Sequence, residues 1–151
     1  MAETTNDVAV AGAGPAGLLA ALLVARAGAR VTLVAPKARA DSRTTALLDR
    51  SVAILREAGI WDEVATLAAP LRKLRIVDGG RRLIRTPEVT FDAAELGLEA
   101  FGWNVPNAPL VEALERAAAR EPGLVRVEAP VLESRPGPDA VVLRHEGGAV
   151  A

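Results

Sequence analysis

Six residues near the amino terminus have the types and the spacing of a phosphate-binding turn. They form the pattern Gly-x-Gly-x-x-Gly, and they run Gly12, Ala13, Gly14, Pro15, Ala16 and Gly17. In this pattern the first glycine allows a tight turn, the second lets a pyrophosphate approach the backbone, and the third lets a helix pack closely. Proline suits the first helical turn, where its missing N–H costs nothing. The pattern therefore indicates a dinucleotide held through its pyrophosphate.

The elements on either side of the turn must position it. Residues Asp7–Ala11 form a short apolar run typical of a buried strand, and Leu18–Ala27 is predicted to be a helix that ends at Gly28. Residues Arg30–Val34 predict a second strand. Strand, glycine-rich turn, helix and strand within about 30 residues make the βαβ unit of dinucleotide-binding folds.

The same apolar stretch could be read as a membrane span or a secretion signal. However, Gly12, Gly14, Pro15 and Gly17 interrupt it, and they would break a helix before it crossed a membrane. A secretion signal begins with positive charge, whereas acidic residues precede this run. We therefore expect no transmembrane segment.

Composition excludes several kinds of chemistry. The chain has 151 residues, a net charge of −1, no cysteine and one histidine. Disulfides, thiolate metal sites, cysteine catalysis and histidine metal clusters are excluded, and no metal site is predicted. The near-neutral charge gives no basic field for nucleic acid.

The residues that would hold the ribose depart from the usual pattern. An acidic residue normally follows the second strand and binds the ribose, but this position is Ala35. Lys37 and Arg39 follow it, which leaves open a 2′-phosphate and therefore an NADP-dependent reductase. Residues 36–46 are predicted to be a polar loop before a helix at about 48–58. Arg43 in that loop could pair with a phosphate or ribose, or be an ordinary solvated arginine.

The rest of the chain predicts a hairpin, a helix and further strands. Residues 71–86 alternate around Asp78-Gly79-Gly80, which is a hairpin signal. A helix is predicted at Pro109–Arg120, and strands at 124–128, 131–134 and 140–144, with another strand beginning near the end of the chain.

Three segments together resemble the flavin-dependent aromatic hydroxylases, and within them the ubiquinone-biosynthesis branch. The first is the βαβ unit. The second matches the family's Asp-x-Arg pattern and its continuation, at Asp41, Arg43, Ala46, Leu47, Ser51, Leu55, Gly59 and Trp61. The third matches Gly-x-x-Val-x-Asn-x-x-Leu, at Gly102, Val105, Asn107 and Leu110. Three motifs in the family's order favour FAD over NADP.

The resemblance implies an α/β, Rossmann-like FAD-binding fold with a small hairpin insertion from the substrate-side sheet at about 71–105. It also implies that NAD(P)H reduces FAD, which then reacts with O₂ and hydroxylates an aromatic ring, with a ubiquinone precursor as the expected substrate. No catalytic residue is assigned. The expected FAD contacts are Gly12, Gly14, Pro15, Ala16, Gly17, Ala35, Arg43, Asn107 and Val131.

Family members continue beyond the position of Ala151, so we expect 1–151 to be the amino-terminal part of an incomplete domain. Such a part would associate with itself or with the remainder of the enzyme. The expected location is cytoplasmic, with peripheral contact to the inner membrane left open because the substrate could carry a polyprenyl tail. The alternative to an enzyme is a non-catalytic nucleotide-binding or interaction fragment.

Overall fold

The computed structural model describes residues 6–37, 41–81 and 86–151. The chain divides into two compact units, Met1–Ser42 with Asn107–Ala151, and Arg43–Pro106. The described strands are β1 (Val8–Ala11), β2 (Val31–Ala35), β3 (Thr44–Leu48), β4 (Ala69–Pro70), β5 (Lys73–Ile76), β6 (Val89–Asp92), β7 (Gly102–Pro106), β8 (Leu124–Glu128), β9 (Val131–Pro136), β10 (Val141–His145) and β11 (Gly148–Val150). The described α-helices are α1 (Pro15–Arg26), α2 (Asp49–Glu57), α3 (Trp61–Val64) and α4 (Asn107–Ala119). Short 3₁₀ helices span Ala65–Leu67 and Ala93–Leu96.

A parallel sheet is the centre of the first unit. Its strand order is β1-β2-β8, and all five residues of β2 are buried. A strand covered on both faces needs apolar side chains throughout, and β2 reads Val-Thr-Leu-Val-Ala. Helices α1 and α4 pack against each other and against β8. The core between these elements includes Leu18, Leu22, Leu33, Leu110 and Leu114, each at most 1% exposed.

An antiparallel sheet completes the first unit. Its order is β11-β10-β9, with a register shift between Arg144 and His145. The strands predicted at 131–134 and 140–144 are thus present, the first two residues longer and the second shifted by one residue, and the strand expected near the chain end is β11.

The second unit contains a sheet of order β3-β7-β4 and a two-stranded ribbon of β5 and β6. Helix α2 packs on β3 and β7. It ends before Gly59, whose φ of +70° suits glycine, and Ile60 and Trp61 are buried directly after it. The ring of Trp61 meets that of Trp103 edge-on, with centroids 5.9 Å apart. Both tryptophans therefore pack against each other within this unit.

The structure corrects the bounds of two predicted features in this region. The polar loop predicted for 36–46 ends early, because Thr44–Leu48 is a strand paired antiparallel with Pro106–Gly102. The predicted hairpin is present as the antiparallel pair of β5 and β6, but its second arm begins at Val89, opposite Ile76, and not directly after Asp78-Gly79-Gly80. The Asp78 carboxylate instead accepts hydrogen bonds from the N–H groups of Gly80 and Thr86. Residues 82–85 of the predicted second arm lie outside the described residues.

The helices agree closely with the sequence pattern. Helix α1 begins three residues earlier than predicted, at Pro15, and α4 begins two residues before Pro109. Gly28 follows α1 with φ +97°, as its C-cap role requires. Within the described residues, no helix is both long and apolar enough to traverse a bilayer.

Candidate dinucleotide-binding site

Gly12 makes the sharp turn out of β1. Its φ is +106°, a conformation that side chains with a Cβ rarely adopt. Its N–H donates to the carbonyl of Val34 at 2.9 Å, which ties the turn to the end of β2. Glycine is therefore required here by the backbone conformation.

Gly17 is required for a different reason, namely space. A Cβ at this position would overlap the carbonyl oxygen of Gly12 and lie 3.7 Å from Cγ1 of Val10. Backbone atoms cannot yield as a flexible side chain can. The missing side chain therefore lets the first turn of α1 sit directly on the glycine turn, as expected for the third glycine.

Gly14 is required by neither conformation nor space within the protein. Its φ is −73° and its ψ is 174°, which any residue adopts. A Cβ at Gly14 would meet no atom of residues 6–37, 41–81 or 86–151 within 4 Å. The open volume beside Gly14 is the space that the motif reserves for a pyrophosphate close to the backbone.

The amino terminus of α1 faces this turn with its N–H groups available. Gly14 is the N-cap, Pro15 is the first helical residue, and no described side chain caps the helix. The first turn also contains no acidic residue. The early N–H groups of a helix, here including those of Ala16 and Gly17, have no partner within the helix and lie at its positive end. This arrangement can hold an anion.

Ala35 and Val131 occupy strand ends in the same unit. Ala35 is the last residue of β2 and is 4% exposed, so its methyl group offers no polar contact for a ribose. Val131 is the first residue of β9 and is half-buried. The glycine turn lies next to the end of β2 through the Gly12–Val34 hydrogen bond.

Asn107 is the first residue of α4 and is 7% exposed. Its side-chain amide donates to Oδ2 of Asp41 at 2.9 Å. The sequence pattern had marked both residues, but only the structure shows that they bind each other. Asp41 therefore fixes one donor of the Asn107 amide and joins the segment after β2 to the start of α4.

Arg43 is the first residue of the second unit, directly before β3, and its side chain is exposed. The other expected contacts, namely the turn residues, Ala35, Asn107 and Val131, belong to the first unit. Arg43 as an FAD ligand stays a prediction.

A strongly lowered carboxyl pKa occurs in the first unit, but it lies away from the glycine turn. Arg30 Nη2 donates to Asp7 Oδ1 at 2.8 Å, and the backbone N–H of Arg30 donates to Oδ2. The side-chain hydrogen bond from Arg30, followed by the backbone bond, lowers the pKa of Asp7 to about 2. Asp7 precedes β1 and Arg30 precedes β2, so the pair clamps the amino ends of these strands, whereas the turn follows the carboxyl end of β1. We therefore infer that this ion pair stabilises the fold and does not bind a ligand.

Sequence reasoning missed the polar residues of β8. Glu128 pairs in register with Ala35, and Arg126 Nη2 donates to the carbonyl of Pro36 at 3.3 Å. Neither residue belongs to a recognisable motif. Only the pairing of β2 with β8, 93 positions apart at Val31 and Leu124, brings them to the end of β2.

Comparison with known proteins agrees with this geometry. A sequence profile of the family described as "FAD binding domain" matches residues 5–149. The chain is 31% identical to the 3-demethoxyubiquinol 3-hydroxylase of Escherichia coli (strain K12) across 99% of its own length and 40% of that protein. It is 32% identical to a 3-(3-hydroxy-phenyl)propionate/3-hydroxycinnamic acid hydroxylase of Mycobacterium sp. (strain JLS), across 96% of its own length and 26% of that protein. The chain thus spans well under half the length of these relatives.

Solved structures share the fold. The p-nitrophenol 4-monooxygenase PnpA of Pseudomonas putida DLL-E4 superposes with a TM-score of 0.73 at 22% identity, covering 99% of this chain and 39% of that one. The anhydrotetracycline hydroxylase OxyS of Streptomyces rimosus gives a TM-score of 0.70 at 22% identity, over 97% of this chain and 29% of that one.

Proposed function

The chain belongs to the FAD binding domain family, and we propose that it is the FAD-binding part of an NAD(P)H-dependent monooxygenase that hydroxylates aromatic rings. Its relatives support this reaction class, since they are hydroxylases of quinol or phenolic compounds. The flavin would supply the redox chemistry, taking electrons from the nicotinamide and reacting with O₂.

The main support for the proposal comes from the backbone conformation and the surroundings of Gly14. Nothing among the described residues requires glycine there, since its backbone is ordinary and no described atom lies within 4 Å of where a Cβ would be. The uncapped start of α1 lies at the same place. A bare backbone beside unpaired N–H groups is what a pyrophosphate needs, so the residues present fit FAD.

The chain's own residues would bind and orient the cofactor. The N–H groups of Ala16 and Gly17 would bind the pyrophosphate, and Gly12 and Gly17 would hold the turn against α1. Asp41 would keep Asn107 in place at the start of α4, where we propose that Asn107 contacts the flavin side. Val131 would contact FAD, and Arg43 would donate to phosphate or ribose oxygens. No residue of the chain is assigned to acid–base catalysis.

The proposed substrate is a ubiquinone precursor. The support is the 31% identity to a demethoxyubiquinol hydroxylase over nearly the whole chain. The similar identity to phenylpropionate hydroxylases makes a smaller phenolic acid the second candidate. A substrate with a polyprenyl tail would bring the enzyme to the surface of the inner membrane.

The test is a comparison of two dinucleotides. The chain joined to the remainder of the enzyme, which is the parent in every binding test below, should quench the fluorescence of FAD on titration, and NADP⁺ should compete poorly. The 151 residues alone should bind FAD weakly or not at all. Preferential binding of NADP⁺ would instead support the reductase alternative, to which Lys37 after β2 would contribute. Binding of neither dinucleotide would support a non-catalytic interaction fragment and contradict the proposal.

A further inference from the structure

The end of β2 lacks the carboxylate that a ribose normally meets, but the neighbouring strand supplies one at the same level. Ala35 and Glu128 are register partners in the parallel pair of β2 and β8. Register partners in a sheet point to the same face, and neighbouring strands lie about 4.8 Å apart. Glu128 therefore lies on the strand next to Ala35, the position where the ribose-binding acid is missing.

The Glu128 side chain has the exposure that a ligand contact requires. Glu128 is exposed, whereas Ala35 is 4% exposed. It ends β8, so its carboxylate lies at the carboxyl edge of the sheet, the edge at which ligands bind in parallel α/β folds. Its two methylene groups allow the carboxylate to lean across one strand spacing towards β2.

Arg126 holds this edge together. It lies two residues before Glu128, hence on the same face of β8, and its Nη2 donates to the carbonyl of Pro36 at 3.3 Å. The bond attaches β8 to the residue that follows Ala35. Its Nη1 is buried and has no hydrogen-bond partner among the described residues. Because Nη1 is closed to solvent, we assign Arg126 to positioning this edge and not to contact with the ligand.

We propose that the Glu128 carboxylate binds the ribose hydroxyls of the adenosine half of FAD, in place of the acid missing at Ala35. The inference rests on the proposed function, because it places a residue in the same dinucleotide site. The hydroxyls donate to the carboxylate, and such charge-assisted hydrogen bonds are about twice as strong as neutral ones. The carboxylate also repels a 2′-phosphate, which selects an unphosphorylated ribose.

The experiment tests whether the Glu128 carboxylate binds the 2′-hydroxyl of the ribose. ADP and 2′-deoxy-ADP are used as competitors of FAD on the parent, on Glu128→Ala and on the control Glu112→Ala. Glu112 is an exposed glutamate of α4. The parent chain and the control should prefer ADP over 2′-deoxy-ADP by roughly 10- to 100-fold. Glu128→Ala should lose that preference by weakening ADP alone.

Two results would overturn the inference while leaving the proposed function intact. One is an unchanged preference for ADP in Glu128→Ala. The other is tighter binding of adenosine 2′,5′-bisphosphate than of ADP to the parent, which would mark a 2′-phosphate site next to Lys37 and Arg126. If the parent chain binds neither FAD nor ADP, the proposed function fails and the inference fails with it.

Discussion

Gly12, Gly14 and Gly17 look equivalent in the sequence, yet the fold makes a different demand on each. Gly12 has a left-handed backbone, Gly17 has the Gly12 carbonyl where a side chain would be, and Gly14 has neither constraint. The sequence pattern predicts all three roles because they belong to a local turn. It could not separate the residues that stability requires from the residue that a ligand requires, because that distinction depends on the surrounding atoms.

Gly17→Ala should destabilise the chain. Its new methyl group would overlap a backbone carbonyl, and such overpacking costs about 1–3 kcal/mol. Urea unfolding followed by circular dichroism measures the loss. An unchanged midpoint would show that α1 is not packed against the turn as described.

Arg43→Ala should weaken FAD binding by roughly 10- to 100-fold, since hydrogen bonds to charged groups contribute about 1.5–3 kcal/mol. The planar guanidinium suits phosphate or ribose oxygens. The matched control is Arg50→Ala, which removes an exposed arginine from α2 nearby in sequence. Equal affinities of the two variants would reduce Arg43 to an ordinary loop charge.

At the scale of elements, the secondary structure of roughly the first 30 residues could be predicted, because short-range sequence patterns indicate β1, α1 and β2. Strand β3 was not, because the residues that make it a strand lie far along the chain, with Thr44 opposite Pro106. The same reason explains the hairpin, since the partner of β5 begins at Val89 beyond the Asp-Gly signal. The position of Glu128 beside Ala35 could not be predicted from the sequence, because tertiary pairing decides the register of the two strands.

The ion pair of Asp7 and Arg30 connects two elements and predicts a pH effect. The pKa of Asp7 is about 2 in the folded chain, below its ordinary value of 3.8. A depressed pKa stabilises the fold above the unfolded value, and this contribution is lost as pH falls from about 4 towards 2. Asp7→Asn should therefore lower the urea midpoint at pH 7 and differ little from the parent near pH 2.

The origin of that effect can be checked in a second background. In Arg30→Met, the side-chain donor is gone but the backbone N–H at position 30 remains, so the pH-dependent effect of Asp7→Asn on the urea midpoint should shrink without vanishing. A pH-dependent difference as large as that in the parent background would mean that the Arg30 side chain does not stabilise the Asp7 carboxylate.

At the scale of the whole molecule, family and cofactor were accessible from the sequence because three separated motifs occur in a fixed order. The FAD binding domain family matches residues 5–149, which agrees with that interpretation. Substrate identity is less accessible, because the chain covers 40% of the demethoxyubiquinol hydroxylase and 26% of the phenylpropionate hydroxylase. The residues compared are those of the cofactor-binding part, which enzymes with different substrates share.

The central claim is that the open space at Gly14 receives the pyrophosphate of FAD. Gly79 provides a matched control, because a Cβ there would also meet no atom within 4 Å in the part of the chain that the structure describes, and its backbone is not left-handed. The decisive measurement is the FAD affinity of the parent, Gly14→Val and Gly79→Val by fluorescence quenching, with urea midpoints measured in parallel. Gly14→Val should lose FAD binding while keeping a midpoint close to that of the parent, and Gly79→Val should keep both. Equal FAD binding by Gly14→Val and the parent would contradict the claim.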